Sequence, residues 1–237
     1  MSEPASVTVV ALVEGRTEEI FIQSVVSPHL AQRNIFIMPI LFSKPGEKGG
    51  DVKFARAQND IGLHLKQRQD TYLTTFFDFY GVAGQDWPGY GKAVGLPTPE
   101  GKAACINAAT RRKVNALFGD FRPERRFIPF VAVHEFEALL FSDPAVLASH
   151  LHVSQAKIEA ILSDCGSPEA INQSPQTAPS KRLKQMSGRF KKTTTGIEIV
   201  RRIGLAKIRA RCPLFGQWLS AMEGLKEARG PSRPKPF

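Results

Sequence analysis

Glu14 follows an uncharged, largely apolar run, Val7–Val13 (VTVVALV), and opens the string Glu14-Gly15-Arg16-Thr17-Glu18-Glu19. A short β-branched run of this kind predicts a buried strand, and Gly15 lets the chain turn sharply into a helix beginning near Thr17. The Glu14 carboxylate is thereby placed at the C-terminal end of a strand, the edge of an open α/β sheet where ligands bind. Asp78 has the same placement. Thr71–Phe77 (TYLTTFF) is a second β-prone run, and it ends in Asp78-Phe79-Tyr80-Gly81. Two such acids can share one hard divalent cation, which prefers carboxylate oxygens, or can act as acid and base. A further pair, Glu135 and Glu137, follows Arg125–Val133 (RRFIPFVAV), a strand candidate that Pro129 marks as short, bulged or at an edge. These two share a face if the chain is extended but diverge by about 200° on a helix, so the choice of ligand between them depends on register. Each acid also suits the first turn of a helix, where negative charge is favoured. That reading fits Glu18 and Glu19 best, although Glu18, one turn beyond Glu14, could support it.

The elements that must position these acids alternate along the first two thirds of the chain. A strand at 7–13, a helix at about 17–31 and a strand at about 34–42 form a βαβ unit, and a helix at about 52–69 leads into the strand ending at Asp78. Ser43–Gly50 (SKPGEKGG) reads as a flexible connection and matches no complete nucleotide-binding pattern. The irregular stretch Gly81–Pro99 suits an active-site loop, and a helix at about 100–118 follows it. Beyond Asp143 the pattern is helical, with Pro175–Ser180 (PQTAPS) a linker and Gly230–Phe237 a frayed end.

Charge is uneven. Residues 179–237 hold 15 Lys and Arg against 3 Asp and Glu, a net +12, whereas the whole chain is +10. A basic segment joined to an acid-bearing sheet suits a polyanion, because Lys and Arg displace counterions from phosphates. Lys181 and Arg182 are the first candidates for backbone contact, on a helical face anchored by Ile199, Ile203, Ile208, Leu214 and Leu219. Cys105, Cys165 and Cys212 lie far apart, which argues against a zinc site or disulfide framework. The sequence shows neither a membrane-length apolar run nor a signal-like N-terminus, so a cytoplasmic protein without membrane association is expected.

A strand ending in Glu-Gly, a second ending in an aspartate motif and further acids beyond a third crossover resemble the Toprim domain of topoisomerases, primases and overcoming-lysogenization-defect nucleases. More closely, Val13–Glu19 (VEGRTEE), Thr75–Gly81 (TFFDFYG), His134–Pro144 (HEFEALLFSDP), Pro179–Leu183 (PSKRL) and Ile203–Trp218 (IGLAKIRARCPLFGQW) look like an uncharacterised Toprim-like bacterial family, domain of unknown function 4276. The resemblance implies an α/β domain over 1–145, with a Toprim-like parallel sheet of about four strands and flanking helices, and a basic helical region over 146–237 packed on it. It implies carboxylates gathered around Mg²⁺ or Mn²⁺ and metal-dependent cleavage of DNA, ahead of RNA, in phage defence or nucleic-acid processing. An ABC-type ATPase encoded nearby is the implied partner. By position Glu14 is ligand or general acid/base, Asp78 is a catalytic ligand, and Arg16 contacts phosphate. Tyr80 stands where the family pattern has a second aspartate, and a phenol with a pKa near 10 is a poor ligand for a hard cation. Glu135 or Glu137 would replace it. The alternative is a non-catalytic subunit that binds nucleic acid or an ATPase; a small-molecule phosphohydrolase would share the acids without needing the basic segment.

Overall fold

The computed structural model describes residues 6–42, 53–82, 86–133, 135–171 and 177–225. The Ser43–Gly50 connection, the Gly230–Phe237 end and Pro175 and Gln176 of the expected linker lie outside the described residues. The apolar run Val7–Val13 is strand β1. It passes into α1 (Arg16–Phe21), a π-helical turn at Ile22–Val26 and α2 (Ser27–Ala31), then returns as β2 (Ile35–Leu41). Next come α3 (Phe54–Gln67) and β3 (Tyr72–Asp78). The short α4 (Tyr90–Ala93), the long α5 (Pro99–Phe118) and α6 (Pro123–Arg126) lead to two short strands. These are β4 (Phe127–Ile128) and β5 (Val131–Ala132), interrupted where Pro129 can give no ladder N–H.

All described pairings are parallel. The sheet order is β2-β1-β3-β4, with β5 also pairing β3, so β1 and β3 are adjacent central strands. Val7 N donates to Asn34 O, and Phe42 N donates to Val13 O. The even-numbered residues of β2 therefore bond β1, and Ile35, Ile37, Pro39 and Leu41 turn their backbones to the open edge. Pro39 deprives that edge of one donor, which blunts it against pairing with another strand.

Alternation along β1 feeds two packed faces. Val9, Ala11 and Val13 pack with Phe21, Ile22 and the C-terminal helices, and Val10 and Leu12 pack with Phe54, Ile61, Leu65 and Trp87. The C-terminal helices comprise α7 (Pro144–Leu151), α8 (Gln155–Cys165), α9 (Pro179–Met186), α10 (Ile197–Ile203), α11 (Leu205–Arg211) and α12 (Pro213–Glu223). Their anchors Ile199, Ile203, Ile208, Leu214 and Leu219 are all buried. Trp218 Nε1 donates to Thr74 Oγ1 at 3.0 Å, tying α12 directly to β3.

Two expectations need correction. The irregular stretch after Gly81 is a core element as well as a loop: Trp87 is 2% exposed, its ring lies 4.5 Å from Phe77, and its Nε1 donates to Thr110 Oγ1 at 2.8 Å. Pro179 and Ser180 are not linker. They are the buried first residues of α9, held by a carboxylate from another part of the chain.

A buried carboxylate also fixes α12. Glu169 accepts from Leu214 N and Phe215 N, both at 2.9 Å, at the first turn of that helix, where unpaired N–H groups favour negative charge. Burial nevertheless pushes its carboxyl from 4.5 up to about 7, so the fold favours the protonated acid. The associated stability is fully present below pH 4.5 and lost as pH rises through about 7. Glu169→Gln is expected to remove that slope, which amounts to about 3 kcal/mol. Urea unfolding of both proteins from pH 4.5 to 8 measures it; parallel curves would exclude Glu169 as the source.

Candidate functional site

Glu14 leaves the C-terminal end of β1, and Asp78 is the last residue of the neighbouring β3, where Val13 pairs with Phe76. Both carboxylates border Gly81. Gly81 N donates to Asp78 Oδ1, and a Cβ on Gly81 would fall 2.4 Å from Glu14 Oε2. Glycine is required here because the Glu14 carboxylate occupies the space of a side chain. The sheet thus brings the two acids to either side of one glycine, at the edge where the sequence placed them.

Burial pushes the Asp78 carboxyl from 3.8 up to about 6; the Gly81 N–H opposes this, the charges of Glu135 and Glu18 add to it, and Lys192 opposes it. Glu135 and Glu137 reach the same edge by different routes. Glu135 sits just before a 3₁₀ helix, Phe136–Ser142, and accepts from Ser180 N at 2.8 Å and Ser180 Oγ at 2.9 Å at the N-terminus of α9. Glu137, inside that helix, is 1% exposed. Its Oε1 lies 2.6 Å from Lys192 Nζ. Burial pushes the Glu137 carboxyl from 4.5 up to about 7 against the pull of Lys192.

Lys192 is the residue that sequence reasoning missed. It begins a π-helical turn, Lys192–Gly196, a distortion found often at functional sites. Burial alone would lower its pKa, but Glu137, Glu135 and Glu18 outweigh burial and hold the ammonium above its ordinary range. Glu18, expected to serve mainly its helix, is therefore part of the same electrostatic cluster. Within the string Lys191-Lys192-Thr193 only the contact with Glu137, 55 residues earlier, separates Lys192 from its neighbours.

The other expected residues are dispersed. Tyr80 is 45% exposed, and its ring packs edge-on against Phe79. Arg16 is exposed and its Nη1 donates to Glu19 Oε2 at 2.6 Å. Lys181 and Arg182 follow the Ser180 contact with Glu135 directly; Lys181 is exposed, and Arg182 Nε donates to Thr177 O at 2.8 Å. Among the described residues no three Asp, Glu, His or Cys side chains are assembled as a metal-ligating group. No helix of the described residues is long and apolar enough to cross a membrane.

The profile of a family described as Domain of unknown function (DUF4276) matches residues 13–223, which include Glu14, Asp78, both glutamates and Lys192. The chain belongs to this family. No curated protein and no solved structure matches it. Membership in this family assigns no activity.

Proposed function

We propose that this DUF4276 chain is a divalent-cation-dependent nuclease whose centre is the acid edge around Gly81. The observation that carries the proposal is the convergence of Glu14 and Asp78 on one glycine, with Glu18, Glu135 and Glu137 in the same field. Carboxylate oxygens suit Mg²⁺ or Mn²⁺, and the acids outnumber the single ammonium of Lys192. The donor types and their charge suit such an ion, although among the described residues no three of them are assembled as a ligating group. Asp78 and Glu14 would hold it, with Glu135 or Glu137 the third donor; Glu135 is held by Ser180 and Glu137 by Lys192, so either would exchange a contact for the ion. When bound, the ion supplies an activated water and charge relief on the phosphoryl group.

The chain's own groups supply the rest. Without the ion, burial pushes the Asp78 carboxyl up to about 6, so proton and cation would compete for it as pH falls. Lys192 offsets the mutual repulsion of the acids and places a cation where phosphate charge develops. The exposed Lys181, one residue beyond the Glu135 contact, sits where a nucleic-acid backbone entering that edge would pass. DNA as substrate, a role in phage defence or nucleic-acid processing, and an ABC-type ATPase partner remain parts of this proposal that rest on the Toprim resemblance. The non-catalytic reading is favoured by one observation, the exposed tyrosine where a second aspartate would stand.

The test is cleavage of plasmid, linear duplex, single-stranded DNA and RNA in Mg²⁺ or Mn²⁺ by wild type beside Glu14→Gln/Asp78→Asn. Cation-dependent cleavage that disappears in the double variant is the expected result; nucleic-acid binding without cleavage by wild type would establish the non-catalytic reading. Backbone contact has its own signature. Lys181→Ala/Arg182→Ala is expected to flatten the log-affinity against log-salt slope on duplex DNA by about one unit for each phosphate that the two side chains neutralise. Equal slopes would remove both residues from the interface.

A further inference from the structure

The segment after β1 runs back along the sheet, so residues 24–33 approach its N-terminal edge, where Val7 N meets Asn34 O at 3.0 Å. β1 spans 7 residues. At about 3.3 Å per residue this edge lies roughly 20 Å from the acid cluster. There the π-turn and α2 face α11, α12 and the last turn of α10 across a groove of about 580 Å³. That is within the range of roughly 300–1,000 Å³ typical of small-ligand sites.

Three arginines, Arg33, Arg201 and Arg209, line the groove against one carboxylate, Glu223. Glu223 is fully engaged: Oε1 lies 2.7 Å from His29 Nε2 and 3.9 Å from Arg33 Nη2, and Oε2 accepts from Arg209 Nη1 at 2.9 Å. Burial opposes its ionisation, but His29, Arg209 and Arg33 together hold the carboxyl below its usual range. One acid thus organises Arg209 and His29 while offsetting only part of the positive charge. Arg201 is exposed and has no ion-pair partner among the described residues. In the same wall the Ser24 Oγ is buried with no hydrogen-bond partner among the described residues, an expensive state for a hydroxyl.

We infer that this groove is a second anion site, one that binds the phosphate group of a small phosphorylated ligand. Guanidinium forks are the groups that tetrahedral phosphate oxygens accept from, and arginine satisfies them bidentately. The lining contains no Phe, Tyr or Trp, and its one ring, His29, is tied to Glu223, so the groove offers no run of stacking platforms for successive bases of a strand. The chemistry therefore favours a compact phosphate or diphosphate over a nucleic acid.

The full chain, free of divalent cations, is titrated calorimetrically with inorganic pyrophosphate, ADP and a 5′-phosphorylated oligonucleotide. Wild type is expected to bind pyrophosphate and ADP, and Arg33→Gln/Arg201→Gln to bind both at least 10-fold more weakly with unchanged circular dichroism. Asp78→Asn should bind both as wild type does, which separates this groove from the acid edge. Equal affinity in the arginine variant, no binding of either small probe by wild type, or binding of the oligonucleotide alone would each overturn the assignment.

Discussion

Asp78→Asn is expected to lower cation-dependent cleavage by about 10³-fold or more while the protein stays folded, equivalent to roughly 4 kcal/mol of transition-state stabilisation. The substitution is nearly isosteric, and the amide oxygen can still accept the Gly81 N–H that now bonds Asp78 Oδ1. What disappears is the negative charge that would hold a cation. Because protonation of this carboxyl competes with the cation, cleavage by wild type at subsaturating cation should rise with pH. Stability runs the other way. A carboxyl raised from 3.8 to about 6 favours the protonated form in the fold, so its contribution is fully present below 3.8 and lost as pH rises through about 6. Asp78→Asn should thus match or exceed wild type in melting temperature at pH 8. Unchanged turnover by purified Asp78→Asn would remove this residue from the mechanism; a collapsed melting temperature would make its role structural.

Arg126→Leu is expected to cost about 3–5 kcal/mol of stability, because buried carbonyls lose a charged donor and each unsatisfied acceptor costs about 1–3 kcal/mol. Arg126 is 7% exposed, and its guanidinium is satisfied entirely by backbone carbonyls. Nε donates to Phe121 O at 3.2 Å, Nη1 to Arg68 O at 2.7 Å and Thr71 O at 3.0 Å, and Nη2 to Leu65 O at 3.0 Å and also to Phe121 O. These five bonds match the five donors a guanidinium possesses. Leu65 O and Arg68 O belong to the C-terminal end of α3, where unpaired carbonyls and the helix dipole favour a cation. Leucine would leave all four carbonyls without this partner beneath the start of β4. Arg126→Lys, with three donors and the same charge, should lose less. Urea midpoints of the three proteins give the ordering; a leucine variant within about 1 kcal/mol of wild type would show that water replaces the guanidinium without cost.

The parts of this architecture that were readable before folding are those in which local pattern and tertiary demand coincide. Val7–Val13 and residues 72–77 are uncharged and mostly apolar because both faces of a central parallel strand are covered, and an acid follows each. Pro129 announced the break between β4 and β5 through its missing N–H. The helix expected at 17–31 was recognisable, whereas its π-turn at Ile22–Val26 carries no local signal. Trp87 was hidden by the prolines and glycines around it, since irregular backbone says nothing about whether a side chain enters the core. Lys192 and Ser180 escaped for a different reason. Their roles come from contacts with Glu137 and Glu135 across 55 and 45 residues, and single-chain periodicity cannot encode such pairings. The register question at Glu135 and Glu137 likewise had no local answer, because the chain changes from extended to 3₁₀ between them.

The central claim, that the Gly81 edge is a cation-binding centre, is tested most directly by titrating the full chain with Mn²⁺ and following the free ion by electron paramagnetic resonance. Wild type should take up Mn²⁺ at a saturable site that Mg²⁺ competes for, and Glu14→Gln/Asp78→Asn should lose it, with affinity at least 10-fold weaker. Lys192→Met should bind Mn²⁺ more tightly than wild type, because the ammonium that now balances Glu137, Glu135 and Glu18 is gone. Saturable Mn²⁺ uptake that survives in the Glu14→Gln/Asp78→Asn protein, or no uptake by wild type at millimolar Mn²⁺, would contradict the account.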